Sequence, residues 1–256
     1  MLKKSALKKH KTKYKELTQW QVLDTVVTVE ITRELRQSST YRFSDNKLLV
    51  RLPILSPEQD RTVIQQLQTA LIASAKKKPI ILNTLIPKKY NHGEVIWVGK
   101  YAVTIQVSFV TSKSVRGELT PDSTLKIDAP FGISDAQLSE TIGTILSRLI
   151  ARKALPDFSR RVHELNHTFF KKEINSISFK NVHTRWGSCS NSSNLNFSTR
   201  LLFTPDLVQD YVIIHELAHL IEMNHSTRFW NIVEVAAPNF KVQERWLKEN
   251  GALCKF

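Results

Sequence analysis

Cysteine is nearly absent from this sequence of 256 residues: only Cys189 and Cys254 occur, with no C-x-x-C spacing. Two isolated thiols exclude a disulfide framework and read as reduced side chains of a cytoplasmic protein. Glycine and proline are sparse too, at seven and nine, which leaves too little for long disordered tracts. No apolar run reaches the roughly 20 residues of a membrane span. The basic N-terminus is followed by no apolar segment of the kind a secretory signal needs. Cytoplasmic residence without a membrane partner is the expectation. No internal repeat stands out, and no low-complexity segment exists beyond a lysine-rich arm.

What is plentiful is positive charge. The formal net charge is +14. Half of it comes from "MLKKSALKKHKTKYK", with seven lysines and no acid. The remainder is spread over clusters such as Lys76-Lys77-Lys78, Lys88-Lys89, Arg160-Arg161 and Lys171-Lys172. A basic tail on a basic body can neutralise phosphates and so hold nucleic acid, or it can simply aid solubility. No aromatic single-strand platform and no DNA-reading motif accompanies the charge.

Hydrophobic patterning predicts an α+β chain in three parts: a flexible arm over 1–19, a mainly β unit with one long helix over 20–128, and a helical domain over 129–256. In the second part "VVTVEIT", "KLLVRLP" and "VTIQVSF" alternate as strands. A helix starts at "SPEQ", where Ser56 and Gln59 form a capping box, and ends at the 76–78 lysines and Pro79. In the third part "SDAQ" at 134–137 opens another helix. Pro156 is expected to break it, with a new helix from about Asp157 to Lys172. "SISFKNV" and "NLNFSTRLLF" then read as the arms of a long β-hairpin. After them Thr204-Pro205-Asp206 caps an apolar helix through Ile221, and two helical segments follow from Ser226 and about Val242.

Two stretches carry the chemistry: "HELNH" at 163–167 and "HELAH" at 215–219. Both fit H-E-x-x-H, in which histidines four apart on one helix face reach a single metal ion. The glutamate between them is placed to take a proton from metal-bound water, whose pKa zinc lowers to ~7. The two copies differ in their surroundings. Phe158, Val162, Leu165 and Phe169 form one apolar stripe, and His163 and His167 point away from it, toward solvent. Glu173, the nearest further ligand, lies among lysines. Around the second copy Val208, Tyr211, Val212, Ile213, Ile214, Leu217, Ala218, Leu220 and Ile221 point in every direction, as in a buried helix. Buried His215, Glu216 and His219 need partners, and a metal supplies one. The second copy is therefore the expected site, and His163 and His167 are expected to bind no metal.

A third ligand is expected at His225, six residues after His219. A left-handed Asn224 would turn the chain back and Ser226 would cap the next helix. Glu234 on that helix is the alternative ligand, which spacing disfavours. The same spacing occurs in metzincins, where a glycine makes the turn and a methionine lies under the metal. Here Glu222 takes the glycine position, and Met1 and Met223 are the only methionines, which argues against a metzincin proper.

"TRWGSCS", "LNF..RL", "YV..HELAHL", "NHS..FW" and the proline of "APNF", in this order, resemble the YgjP-like family of zinc metallopeptidases. The resemblance extends weakly over most of residues 20–256. It implies a compact zincin-like domain, related in architecture to SprT-like proteins and small gluzincins. It also implies one zinc ion on His215, His219 and His225, with Glu216 as catalytic acid and base. A strand over 194–203 would then line the cleft as an edge, open to an extended peptide. Arg185 and Tyr211 are candidates for binding substrate or an oxyanion, Trp186 for packing, and Cys189 for a buried thiol without a nucleophilic role. The expected function is a zinc-dependent hydrolase acting on peptides or proteins. Two alternatives stand beside it: hydrolysis of a nucleotide or other phosphate-containing substrate, and a nucleic-acid-associated protease tethered by its basic arm.

Overall fold

Two compact units, Met1–Pro87 and Lys88–Phe256, make up the chain. The computed structural model describes residues 14–44, 47–77, 82, 85 and 88–256. In the first unit β1 (Tyr14–Val22), β2 (Thr25–Arg33), β3 (Thr40–Ser44) and β4 (Lys47–Leu52) form a sheet in the order β1-β2-β4-β3. The β1–β2 and β3–β4 pairs are antiparallel, and β2 runs parallel to β4. Their alternating apolar residues, among them Val27, Val29, Ile31, Leu48 and Val50, are buried with Leu71 and Ala75 of α1 (Pro57–Lys77). The predicted capping box forms: the Gln59 backbone N–H donates to Ser56 Oγ, and the Ser56 N–H donates to Gln59 Oε1. Arg33 grips Asp60 with two nitrogens and so ties β2 to the first turn of α1. Of the arm expected over 1–19, residues 14–19 belong to β1, and the rest lies outside the described residues.

The second unit opens with β5 (Val95–Val98), β6 (Tyr101–Val110), β7 (Arg116–Leu119) and β8 (Thr124–Pro130), in the order β5-β6-β8-β7, followed by α2 (Asp135–Leu165). Val103, Ile105, Leu125 and Ile127 pack with Leu138, Ile142, Leu146 and Ile150 in one core. That shared core places this sheet in the same unit as α2. The division therefore falls after Pro87, and not at 128/129, where composition had placed it.

The two sheets share more than strand order. Val27, Val29 and Ile31 of β2 stand 76 residues before Val103, Ile105 and Val107 of β6. Leu48, Val50 and Leu52 of β4 precede Leu125, Ile127 and Ala129 of β8 by 77, and Ser56 and Gln59 precede Ser134 and Gln137 by 78. The β2–β4 register of Val29 on Leu48 and Ile31 on Val50 recurs as Ile105 on Leu125 and Val107 on Ile127. The first hairpin turns on a positive-φ residue both times, Leu23 at 55° and Gly99 at 56°. Glycine is required at the second because a Cβ there would collide with the Leu202 carbonyl. The chain thus contains one ββββα module twice, which corrects the expectation of no internal repeat.

Pro156 does not end α2, which runs unbroken for 31 residues. An interior proline costs ~3 kcal/mol. Ile150, Ala154, Phe158, Val162 and Leu165 are buried on both sides of it, and large apolar side chains each gain about 1.5–3 kcal/mol on burial. Packing therefore outweighs the lost hydrogen bond. After Leu165 the helix widens into a π-helical turn, Asn166–Phe170, closed by Lys171 in the left-handed region. The extra residue shifts the apolar phase by one, so Phe170 is buried and Phe169 exposed, where regular periodicity had put Phe169 inside.

Three short strands follow: β9 (Ser176–Lys180), β10 (Gly187–Cys189) and β11 (Asn194–Ser198). They replace the expected hairpin. β11 is central, parallel to β9 and antiparallel to β10, because "GSC" itself enters the sheet. The edge facing the later helices is therefore β10, and the strand expected as an edge over 194–203 is shorter and interior. The chain finishes with α3 (Asp206–Ala218), α4 (Thr227–Ala236) and α5 (Phe240–Asn250). No helix among the described residues is long and apolar enough to cross a membrane.

Candidate metal centre

The helix carrying "HELAH" is seated before its histidines are reached. Thr204 donates its hydroxyl to the Leu201 carbonyl, closing a 3-10 turn. It does not cap α3, as the sequence had implied; Pro205 holds the cap position and Asp206 complements the helix dipole from the first turn. Arg161 of α2 makes a two-pronged bond to Asp210, at 2.8 and 2.6 Å, locking α2 against α3. Val212, Ile213, Ile214, Leu217 and Ala218 are all buried, so the helix cannot rotate without exposing core.

Three imidazoles meet at the end of α3. The ligating nitrogens available on His215, His219 and His225 all lie within 4.8 Å of one another. Nε2 of His215 is 3.0 Å from Nε2 of His225. The His219 Nδ1–H is directed at the Glu222 carbonyl, 3.1 Å away, which leaves its Nε2 for a ligand. The turn that brings His225 in differs from the expected one. Asn224 is not among the described positive-φ residues. Instead Leu220 and Ile221 tighten the helix end by bonding back to Leu217 and Ala218, and the Ser226 N–H donates to the Asn224 carbonyl. Ser226 then caps α4, accepting from the Phe229 N–H as predicted.

Phe229 is the floor of the cluster. It is fully buried, and its ring lies 4.9, 4.5 and 4.8 Å from the rings of His215, His219 and His225. Trp230 stacks on His225 from the side at 5.9 Å. Sequence reasoning quoted "FW" only as part of the family pattern and gave neither residue a place at the site, although the pair stands three and four residues after the predicted cap at Ser226. Burial and the neighbouring imidazoles push His215 down to about 3, and burial also lowers His219. Neutral imidazoles are the form that binds metal. Three nitrogens on a tetrahedral zinc ion stand ~3.3 Å apart for bonds of ~2.0–2.1 Å, so the donor set and its spacing fit such an ion.

Glu216 is buried beside the cluster, and burial pushes its carboxyl up to about 8 against the opposing pull of Arg185. It fits there because β10 begins with glycine. A Cβ at Gly187 would stand 2.5 Å from Glu216 Oε1. We expect Gly187→Ala to displace Glu216 and reduce turnover by about 10²-fold, since misplacement of ~1 Å costs that much, while the metal content is unchanged. Steady-state kinetics beside metal analysis checks this.

A cleft of about 590 Å³ opens over the cluster, with Arg185, Trp186, Cys189, Tyr211, Met223 and Glu244 among its walls. Arg185 is exposed at its rim. Tyr211 is buried one turn before His215, with the rings 6.1 Å apart, and burial pushes its hydroxyl up to about 12. Trp186 packs under the Arg200 guanidinium at 4.4 Å, and Arg200 also donates to the carbonyls of His183, Gly251 and Cys254. The Cys189 thiol is pushed up to about 11 by burial and by Glu216, the reverse of what a nucleophile requires.

The other sequence candidates lie elsewhere. His163 is exposed near the end of α2 and His167 is exposed in the π-helical turn. Glu173 and Glu234 are also exposed. None of the four joins a group of three metal-ligating side chains among the described residues.

A family model for the YgjP-like metallopeptidase domain matches residues 39–250. The chain belongs to the YgjP-like metallopeptidases. Membership implies a hydrolase that uses a divalent metal and acts on peptide or protein. The chain is also similar to two crystal structures of metallopeptidase zymogens. One is abylysin of Pyrococcus abyssi, at 19% identity over 36% of this chain and 92% of that one, TM-score 0.33. The other is jannalysin of Methanocaldococcus jannaschii, at 23% identity over 38% and 96%, TM-score 0.32. No curated protein matches the chain significantly. The family match begins at residue 39, so the lysine arm lies outside it; residues 1–13, which hold six of the arm's seven lysines, are also outside the described residues.

Proposed function

We propose that this YgjP-like protein is a zinc-dependent peptidase, with His215, His219 and His225 holding one ion and Glu216 serving as general base and then acid. The observation that carries the reading is the convergence of three imidazoles over Phe229, beside a buried carboxyl, at the wall of an open cleft. Three imidazole donors suit zinc among the divalent ions of metallopeptidases. Zinc, when bound, supplies Lewis acidity toward water and the scissile carbonyl. Glu216, held uncrowded by Gly187, takes the proton of the attacking water and returns it to the leaving amine. Tyr211 flanks the reacting centre and offers a hydroxyl to the developing oxyanion, and Arg185 stands at the rim of the cleft as a substrate-binding guanidinium. β10 is an edge strand of its sheet and lines the cleft through Gly187, Ser188 and Cys189, which gives an extended substrate a strand to pair with.

The test sets quenched fluorescent peptides against nucleoside triphosphates. Peptide cleavage that disappears on chelation and returns with zinc is the expected result. Triphosphate hydrolysis without peptide cleavage would move the site to the phosphate class.

A further inference from the structure

A second, smaller hollow of about 70 Å³ adjoins the cleft. Its walls include Lys180 at the end of β9, Arg185 just before β10, Gly187 and Ser188 of β10, and Asn196 and Ser198 of β11. Arg185, Gly187 and Ser188 line the large cleft as well, so the two share a wall. The charge of the hollow is unbalanced. It carries a lysine and an arginine and no carboxylate. Neither cation forms a salt bridge among the described residues; the Glu216 carboxyl, which lies on the cleft side of Gly187, feels the charge of Arg185 and leaves Lys180 unmatched.

The wall is built in advance. Ser178 donates to Asn196 Oδ1 at 2.8 Å, which fixes the amide and leaves its Nδ2–H groups to donate. Ser198 donates its hydroxyl to the Val182 carbonyl at 2.6 Å and its backbone N–H to the Trp186 carbonyl at 2.8 Å. The loop carrying Arg185 is thus pinned at both sides, which lowers the entropy lost when it grips a ligand. A water needs roughly 10–15 Å³, so the hollow accepts a group the size of a carboxylate on a short stem.

We propose that this hollow is a carboxylate subsite of the peptidase: Lys180 and Arg185 pair with an acidic side chain or free C-terminal carboxylate of the substrate, and Asn196 adds a hydrogen bond. The assignment rests on the peptidase reading above. It makes Lys180, which lies outside the large cleft, a specificity-determining residue.

The experiment uses zinc-loaded protein and one peptide scaffold in which glutamate and glutamine alternate at each position around the scissile bond, with free and amidated C-termini. At one position, or at the terminus, the acid should exceed its amide by about tenfold in kcat/KM, the size of one charge-assisted pair. Lys180→Met should bring that ratio near one, and Lys180→Arg should restore it. An unvarying ratio in the wild type, or one that survives Lys180→Met, overturns the subsite. Binding of the same peptides to zinc-loaded Glu216→Gln, with and without Lys180→Met, separates the two readings. If no peptide is cleaved but binding selects the acid through Lys180, the hydrolytic reading fails and the subsite stands. If binding is unselective, the subsite fails whatever the turnover.

Discussion

Glu216→Gln will leave zinc in place and remove turnover. The substitution keeps the size and shape of a side chain that is 5% exposed and takes away its ability to accept a proton. The metal ligands in this reading are the flanking His215 and His219, and both stay. Burial already disfavours charge at this position, so an uncharged amide is well tolerated and the fold is unaffected. General acid–base assistance contributes about 10²–10⁴-fold, and one residue here serves both halves of the reaction. We therefore expect a loss of at least about 10³-fold in kcat, with zinc near one per chain and an unchanged melting temperature. Residual peptide cleavage within tenfold of wild type would remove Glu216 from the mechanism. A lost metal would make it a structural residue.

This expectation was legible before any coordinates, because the helix around "HELAH" is apolar on every side. A residue pattern that fills the whole circumference of a helix leads to burial; the structure buries Glu216 and half-buries His215 and His219, and polar groups so placed demand a partner. His225 was legible through spacing. Its turn was not, since tightened i to i+3 bonds at the helix end do the work assigned to a left-handed Asn224. Phe229 and Gly187 show a different limit. Each matters through what lies opposite it in space, an imidazole cluster in one case and Glu216 Oε1 in the other; His215 and His219 stand 14 and 10 residues from Phe229, and Glu216 stands 29 from Gly187.

The fold was read less completely, for reasons that can be traced to particular residues. Local patterns located most strands and the caps at Ser56, Ser134 and Ser226. They misjudged pairing, because "SISF" and "NLNF" have strand character whether they meet parallel or antiparallel. Pro156 misled by its local cost, which the core on both sides exceeds. The repeated module escaped notice although "VVTVEIT" and "AVTIQVS" are nearly the same peptide. The separation drifts from 76 to 78 through one extra residue between β6 and β8 and another at Gly132, so no single period aligns it. Only strand order and register make the duplication plain.

The second large effect concerns the two H-E-x-x-H copies, and metal content distinguishes them. His219→Ala should lose zinc, and His167→Ala should keep it at one ion per chain. His219 supplies one of the three converging imidazoles, and its Nδ1 faces the Glu222 carbonyl, which leaves Nε2 for a ligand. Removing a group that merely orients a ligand costs about 10–100-fold in affinity; removing the ligand costs more, and the two remaining imidazoles cannot complete a tetrahedral site. His167 has no such place. It is exposed in a π-helical turn, and among the described residues no third metal-ligating side chain joins it and His163. Its loss is a surface change within about 0.5 kcal/mol of stability. Zinc measured by atomic spectroscopy on dialysed protein, with circular dichroism as the control for folding, gives the comparison directly. Zinc retained in His219→Ala, or lost from His167→Ala with the fold intact, would reverse the assignment of the two copies.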